Sequence, residues 1–397
     1  MLRGTPFHQR TATYCQTQNW RRWAGFLVAG SYEMTHDREY YAIRTSAAII
    51  DVSPLYKYVI RGRHAQQLIN RVITRDVSRC RPGQVMYTPW CNEEGKVLDD
   101  GTLARLDHEV FRLTAAEPNY HWLQENAYGL DVVVEDISER LAALSVQGPL
   151  SRDLLRAAAN PDLSTLAFFR VTSASINQVP VTVSRTGYTG DLGYEIWLDA
   201  ANAEAVWDHL MLVGEAYGIT PAGMLALDIA RIEAGLVLID VDYVPARKAK
   251  IEAQTSTPFE LGLGWTVNLD KGPFNGRDAL QAESKRGARW HLCGLEVDWE
   301  SLEQLYAEMK LPPALPTQAW RTSVPVYRGK RQLGYATSGC WSPILKKYIA
   351  LAHLEASYAK PGTEVLMEVT VEHRRRHAHA RVVKTPFFNP TRKRSPV

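Results

Sequence analysis

The sequence predicts an α+β protein in which two mixed α/β domains are followed by a C-terminal β-barrel domain. Three observations carry that expectation. At 397 residues the chain is too long for one hydrophobic core and suggests two or three domains. From about Tyr32 to Asp240, helix-spaced and alternating apolar runs interchange. From Leu292 onward, strand-like runs dominate, separated by turn residues.

His36 to Ile50 reads as a helix, with Ile43, Ala47 and Ile50 able to share a face. Tyr56 to Arg61 alternates like a strand, and Ala65 to Val72 reads as a helix. Val85 to Trp90 is the next strand, and it leads through Asn92-Glu93-Glu94-Gly95 into Lys96-Val97-Leu98-Asp99-Asp100, a hairpin by its turn residues. Val110 to Thr114 is another strand. Pro149 starts a helical stretch to Ala158 that Pro161 breaks. Val179 to Leu198 forms a second hairpin, followed by helices over about Ala201 to Tyr217 and Pro221 to Leu236. Further on, Pro312-Pro313 and Pro316 mark a loop, Arg328-Gly329-Lys330 a hairpin turn, and Val365 to Val371 a strand.

Composition narrows the function classes. Hydrophobic residues at 45% and charged residues at 22% suit a globular enzyme, and a net charge of +3 gives no strong pull toward nucleic acid or a membrane surface. No apolar run is long enough to cross a bilayer. Cys15, Cys80, Cys91, Cys293 and Cys340 form no C-x-x-C, which fits reduced thiols in a cytoplasm better than a disulfide framework or a zinc site. The first 32 residues lack Asp and Glu and carry several Arg, but apolar and aromatic residues interrupt the arginines, as in folded chain rather than a presequence. His377 and His379 would share a strand face, yet no Cys or acidic cluster accompanies them, so they read as part of a solvated basic strand and no metal is expected. There is no G-x-G-x-x-G for a flavin domain.

Two places concentrate chemistry. The run Arg185-Thr186-Gly187-Tyr188-Thr189-Gly190-Asp191-Leu192-Gly193-Tyr194-Glu195 joins two strands through a glycine-rich connection, free to take positive φ and to approach a flat ligand. Glu195 is then either a surface charge or a carboxylate aimed into a cleft, where two adjacent N–H donors on a heterocycle would pair with it. Asp99-Asp100 lies on the second strand of its hairpin. Strand neighbours point to opposite faces, so one carboxylate can enter a cleft while the other pairs with backbone or solvent. The plainer alternative is a turn-capping pair.

The Arg185–Glu195 run resembles the RTGYTGE-x-G-x-E signature of the folate-dependent aminomethyltransferases, the family of the glycine cleavage T-protein and its tetrahydrofolate-dependent demethylase relatives. Other landmarks keep the family's order: Asp51-Val52-Ser53, Asn92-Glu93 through Leu98-Asp99-Asp100, Gln147-Gly148-Pro149, Arg231-Ile232-Glu233-Ala234-Gly235, Phe274-Asn275-Gly276-Arg277, and Thr337-Ser338-Gly339 through Ser342-Pro343. The resemblance implies tetrahydrofolate as cofactor and a central folate channel between the two α/β domains. Elements of 1–50 and 150–270 would form one of these domains and 51–149 the other, with 271–397 as linker and barrel. Asp100 is the carry-over of the family's catalytic carboxylate, which holds the folate nitrogens and stabilises positive charge as a carbon leaves one nitrogen for another. Tyr87 matches a folate-lining position, and Leu55 and Leu113 match apolar wall positions. Tyr188 and Glu195 match residues that flank and clamp the pterin, and Trp265 matches an aromatic near the folate.

Four departures from the T-protein bear on the one-carbon donor. Its D-V-S-H-M becomes Asp51-Val52-Ser53-Pro54-Leu55, and its A-R-D becomes Ala226-Leu227-Asp228, so a ligand-contacting arginine is Leu227 here. Its L-Y-G-x-D becomes Leu238-Ile239-Asp240-Val241-Asp242, and the segment from Asp242 to Trp265 is longer. Leu227 and Asp240 are therefore the substrate-side candidates, suited to a cationic or neutral methylated compound rather than an anion. The expected activity is demethylation of a small N-, O- or S-methylated donor onto N5 of tetrahydrofolate. One alternative is a true aminomethyltransferase working with lipoylated H-protein. Another is a non-catalytic folate-binding or tRNA-associated accessory protein.

Overall fold

The computed structural model describes residues 2–395. Its larger sheet has seven strands, in the order Ala159–Asn160, Val171–Ile176, Val179–Ser184, Gly193–Asp199, Leu141–Gln147, Ala47–Asp51 and Ile219–Pro221. Neighbours run antiparallel except the last pair, which is parallel. One face buries Leu144, Val146, Tyr194, Ile196 and Leu198 under helices Ser151–Ala158 and Ala203–Gly214. The helices supply Leu154, Leu155 and Ala158, and Val206, Trp207 and Leu210, at three- and four-residue spacings that make one apolar stripe each. On the opposite face, Asp37–Thr45 and Met224–Glu233 cover Ala48, Ile50, Ala143 and Trp197.

The second sheet orders five antiparallel strands as Gln84–Cys91, Val97–Asp107, Val110–Ala115, Tyr56–Arg61 and Val133–Asp136. Helices Ala65–Val72 and Tyr120–Ala127 cover one of its faces around Trp90, Leu103, Phe111 and Leu113. The C-terminal region closes into a six-stranded barrel, as the strand-rich composition predicts. Strand Leu141–Gln147, which the sequence reading grouped with 51–149, is hydrogen-bonded into the seven-stranded sheet between Gly193–Asp199 and Ala47–Asp51.

The helix expected over His36 to Ile50 is a correction. Helix Asp37–Thr45 ends at Ser46, and Ala47–Asp51 is a central strand buried throughout. A short continuous apolar run of that kind carries no periodicity to separate buried strand from helix, and neighbouring strands on both sides decide it. Helix Trp299–Ala307 lies within the region read as strand-rich; Asp298 caps it by accepting the Ser301 amide at 2.7 Å. Residues 3–29 are folded, as expected, into a short helix and a three-stranded sheet. No helix among the described residues is long and apolar enough to cross a membrane.

Candidate functional site

Strand alternation assigns the two aspartates. Antiparallel partners share a face, and Tyr87 pairs with Thr102, Leu103 with Leu113, and Ala104 with Arg112. Tyr87, Asp100, Thr102 and Arg112 therefore share one face of the five-stranded sheet, while Asp99, Leu103 and Leu113 share the helix-covered one. Asp99 is fully buried, accepting the Glu117 amide at 2.9 Å, the Asn119 Nδ2 at 2.8 Å and the Asp100 amide at 2.8 Å. Burial, reinforced by the charge of Asp100, pushes its carboxyl up to about 8.

Asp100 has the opposite environment. Tyr87 donates its hydroxyl to Oδ2 at 2.9 Å, and the Tyr243 hydroxyl donates to Oδ1. Burial raises the carboxyl, and these two hydrogen bonds pull it back. Both phenols are pushed well above their ordinary value by burial and then by the neighbouring carboxylate, so they remain donors. The Tyr87 ring stacks on Trp265 with centroids 6.2 Å apart; Trp265 itself is 64% exposed, and the Arg75 guanidinium lies 5.4 Å over its ring.

The seven-stranded sheet supplies the facing wall. Glu195 pairs with Ser184, and Trp197 with Thr182, so these four share a face. Arg112 crosses from the other sheet to donate to Thr182 Oγ1 at 2.8 Å, with its guanidinium 4.4 Å over the Trp197 ring. That contact fixes the two polar faces toward each other. Lys57 makes a second crossing, donating from Nζ to the carbonyls of Ser53, Ser138 and Leu141 at 2.7, 2.9 and 2.8 Å. Glu195 accepts from the Thr186 hydroxyl; burial raises its carboxyl, while Thr186 and the charge of Arg112 lower it.

The signature connection is shaped by close approach as much as by backbone freedom. A Cβ on Gly187 or Gly193 would lie 2.2 Å from Gln147 Oε1, so two of the three glycines make room for that side chain. Gln147 in turn accepts from Thr189 Oγ1 at 2.7 Å and donates to the Thr186 carbonyl at 3.2 Å. Gly190 is the one that takes the left-handed conformation, at φ +74°. Arg185 is buried and turned away from Glu195, donating to the carbonyls of Arg392, Lys393 and Ser395.

The expected site residues divide. Tyr87, Asp100, Tyr188, Glu195 and Trp265 are partly buried or exposed, and Tyr188 lies within electrostatic reach of both Tyr87 and Asp100. The Tyr188 hydroxyl donates to the Val237 carbonyl, and Tyr188 and Leu55 each pack against the cluster that includes Leu227. Leu113 is a correction: its side chain is buried with Phe111 and Trp90 on the helix-covered face, away from Asp100. Asp240, the second substrate-side candidate, lies at the surface. It is exposed, left-handed at φ +61°, and ion-paired with Lys248 at 2.8 Å, which also binds Glu117 at 2.9 Å.

Sequence reading missed Arg112 and Tyr243. A charged residue inside the alternating run Val110–Thr114 was the available signal for Arg112; Tyr243 had none, because only folding brings it to Asp100. Its neighbour Asp242 explains its placement. The Asp242 carboxylate receives Arg231 Nη1, the Leu238 amide, and the hydroxyls of Thr337 and Ser338, and its carbonyl meets His353 Nε2 at 2.7 Å. A surface cavity lined by Arg63, His64, Asn70, Asp76 and Lys271 contains none of the clustered cleft residues.

Comparison with known proteins agrees with this architecture. The GCVT N-terminal domain family matches residues 6–271, and the glycine cleavage T-protein C-terminal barrel domain matches residues 309–389. The aminomethyltransferase of Bacillus pumilus is 32% identical, covering 98% of this chain and 99% of its own. The trimethylamine-oxide aldolase of Ruegeria pomeroyi is 34% identical over 99% of this chain, which spans 48% of that longer protein. The crystal structure of the glycine cleavage system aminomethyltransferase T of Bartonella henselae superposes with a TM-score of 0.82 at 23% identity, covering 98% of this chain and 99% of that one.

Proposed function

The chain belongs to the glycine cleavage T-protein family, and from that premise we propose that it is a tetrahydrofolate-dependent one-carbon transferase that demethylates a small N-, O- or S-methylated compound. The observation that carries this reading is the placement of Asp100, each of whose oxygens is held by a tyrosine hydroxyl on the cleft face. Tetrahydrofolate, when bound, would supply N5 as the acceptor of the one-carbon group. The residues present fit it. Glu195 keeps acceptor capacity beyond its Thr186 bond, Tyr87, Tyr188 and Trp265 offer aromatic surface, and Leu55 offers an apolar wall.

The role of Asp100 follows from its partners. Two phenolic donors favour the anion and fix its orientation, so it stabilises positive charge that develops on a reacting nitrogen. With each oxygen already accepting a hydrogen bond, it is better suited to that than to taking a proton.

Leu227 supports the donor assignment. It is buried among Ile229, Trp197 and Leu351, so the position offers an apolar side chain where the family resemblance implies an arginine. The name of the Ruegeria relative supports a methylated nitrogen compound. The names of the Bacillus relative and of others like it favour the second reading, aminomethyl transfer from lipoylated H-protein. A paired assay decides between them: methylene-tetrahydrofolate formed from aminomethyl-lipoyl H-protein, against methyl-tetrahydrofolate formed from a panel of methylated amines, ethers and sulfoniums. Efficient turnover in the first arm alone overturns the demethylase assignment. Absence of tetrahydrofolate binding by titration calorimetry overturns the folate reading itself.

A further inference from the structure

We propose that Arg112 is a specificity-determining residue that, beside Glu195, reads the 4-oxo group of a pterin ring. The inference rests on the folate reading and deepens it. A reduced pterin presents three adjacent groups on one edge: the 2-amino N–H, the N3–H and the 4-oxo oxygen. A carboxylate can satisfy the first two and has nothing to offer the third, which needs a donor.

Arg112 is placed and equipped for that role. It stands on the same sheet face as Asp100 and Tyr87, and it is 4% exposed. Two contacts fix its guanidinium, the hydrogen bond to Thr182 and the Trp197 ring beneath it. Trp197 and Glu195 lie two residues apart on one strand and so share a face. Arg112 and Glu195 feel each other's charge, since each shifts the other, yet among the described residues Arg112 forms no ion pair.

A guanidinium carries five N–H donors, and among the described residues one side-chain hydrogen bond is made by this one. The guanidinium nitrogens that make no hydrogen bond are not sealed from solvent, so a ligand in the cleft can reach them. Burial lowers Arg112 to about 10, with Glu195 opposing the shift, so it stays a cation and a donor at neutral pH. A carboxylate supplies two acceptors and a guanidinium a donor, the complement of the pterin edge.

The test is an equilibrium binding comparison between a stable reduced 4-oxo folate and its 4-amino analogue, in which the carbonyl acceptor becomes an amino donor and N3 loses its hydrogen. Arg112→Met is expected to weaken the 4-oxo folate roughly ten- to a hundredfold, as for loss of a charged hydrogen bond, and to leave the 4-amino analogue within about twofold. Equal weakening of both, or of neither, overturns the proposal. If the Met variant does not fold, Arg112→Lys keeps the charge without the planar fork and should show the same selective loss in smaller degree; an unselective effect there overturns the proposal as well. Glu195→Ala separates the two layers of argument. It should weaken the 4-oxo folate, and if it does so while Arg112→Met is silent, the folate reading stands and the role of Arg112 falls.

Discussion

Tyr243 and Asp100 lie 143 positions apart in sequence and share a hydrogen bond from phenol to carboxylate in the cleft. The contact ties the strand that carries Asp100 to the segment that crosses toward the barrel. Removing the hydroxyl in Tyr243→Phe should lower kcat about ten- to a hundredfold, because one charged hydrogen bond contributes ~1.5–3 kcal/mol. Folate affinity should change little. A Phe variant with wild-type kcat would show that Tyr87 alone suffices to hold Asp100.

Asp99 gives the protein a pH dependence of stability with a definite sign. Its carboxyl moves from an ordinary 3.8 to about 8 in the folded chain. Between those values the folded state binds more protons than the unfolded state, so this contribution is complete below 3.8 and is lost as pH rises through about 8. Asp99→Asn should flatten that slope. Urea denaturation of both proteins at a series of pH values checks it; parallel curves would contradict the assignment.

Lys57 holds three backbone carbonyls from two parts of the chain. Lys57→Met leaves those acceptors in a buried site without their donor and should cost about 2–4 kcal/mol of stability. The measurement is the denaturation midpoint at unchanged slope. A loss within ~0.5 kcal/mol would mean that water replaces the ammonium at no cost.

Glu233 gathers Arg44 Nε at 2.9 Å, Arg44 Nη2 at 2.6 Å, and the hydroxyls of Tyr40 and Ser342. It joins helix Asp37–Thr45 and helix Met224–Glu233 to the barrel strand Arg331–Ser342. Glu233→Gln removes the charge opposite a buried guanidinium and should destabilise by about 3–5 kcal/mol. Calorimetric unfolding is the readout, and a variant as stable as the parent would show that Asp191, 3.5 Å from Arg44, carries the pairing instead.

How much could be read before folding depended on whether a feature was local. The Asp99-Asp100 pair, the hairpin around it and the glycine-rich signature are each encoded within about a dozen residues, and period-two alternation already implied that the two carboxylates diverge. The barrel was legible from strand-like runs and turn residues alone. The buried run Ala47–Asp51 was misread because both of its faces are covered, so it has no polar side to reveal its period. Leu113 followed from position in a motif, and only strand pairing shows which way it faces. Arg112 with Thr182, and Tyr243 with Asp100, exist through tertiary contact between distant segments, which no window of sequence contains.

The alternation that separates Asp99 from Asp100 also sets which genetic changes this hairpin can absorb. Gain or loss of one residue in the 92–96 connection would shift the following strand by one place. That would turn Asp99 toward the cleft and Asp100 toward the helix-packed face. It would also move Gly101 out of a position where a Cβ would sit 1.9 Å from the Thr114 carbonyl oxygen. Point substitutions in the same connection leave both assignments untouched. Related lineages should therefore keep the length of this connection locked, and any lineage with a single-residue change in length there should have lost the activity or rebuilt the strand.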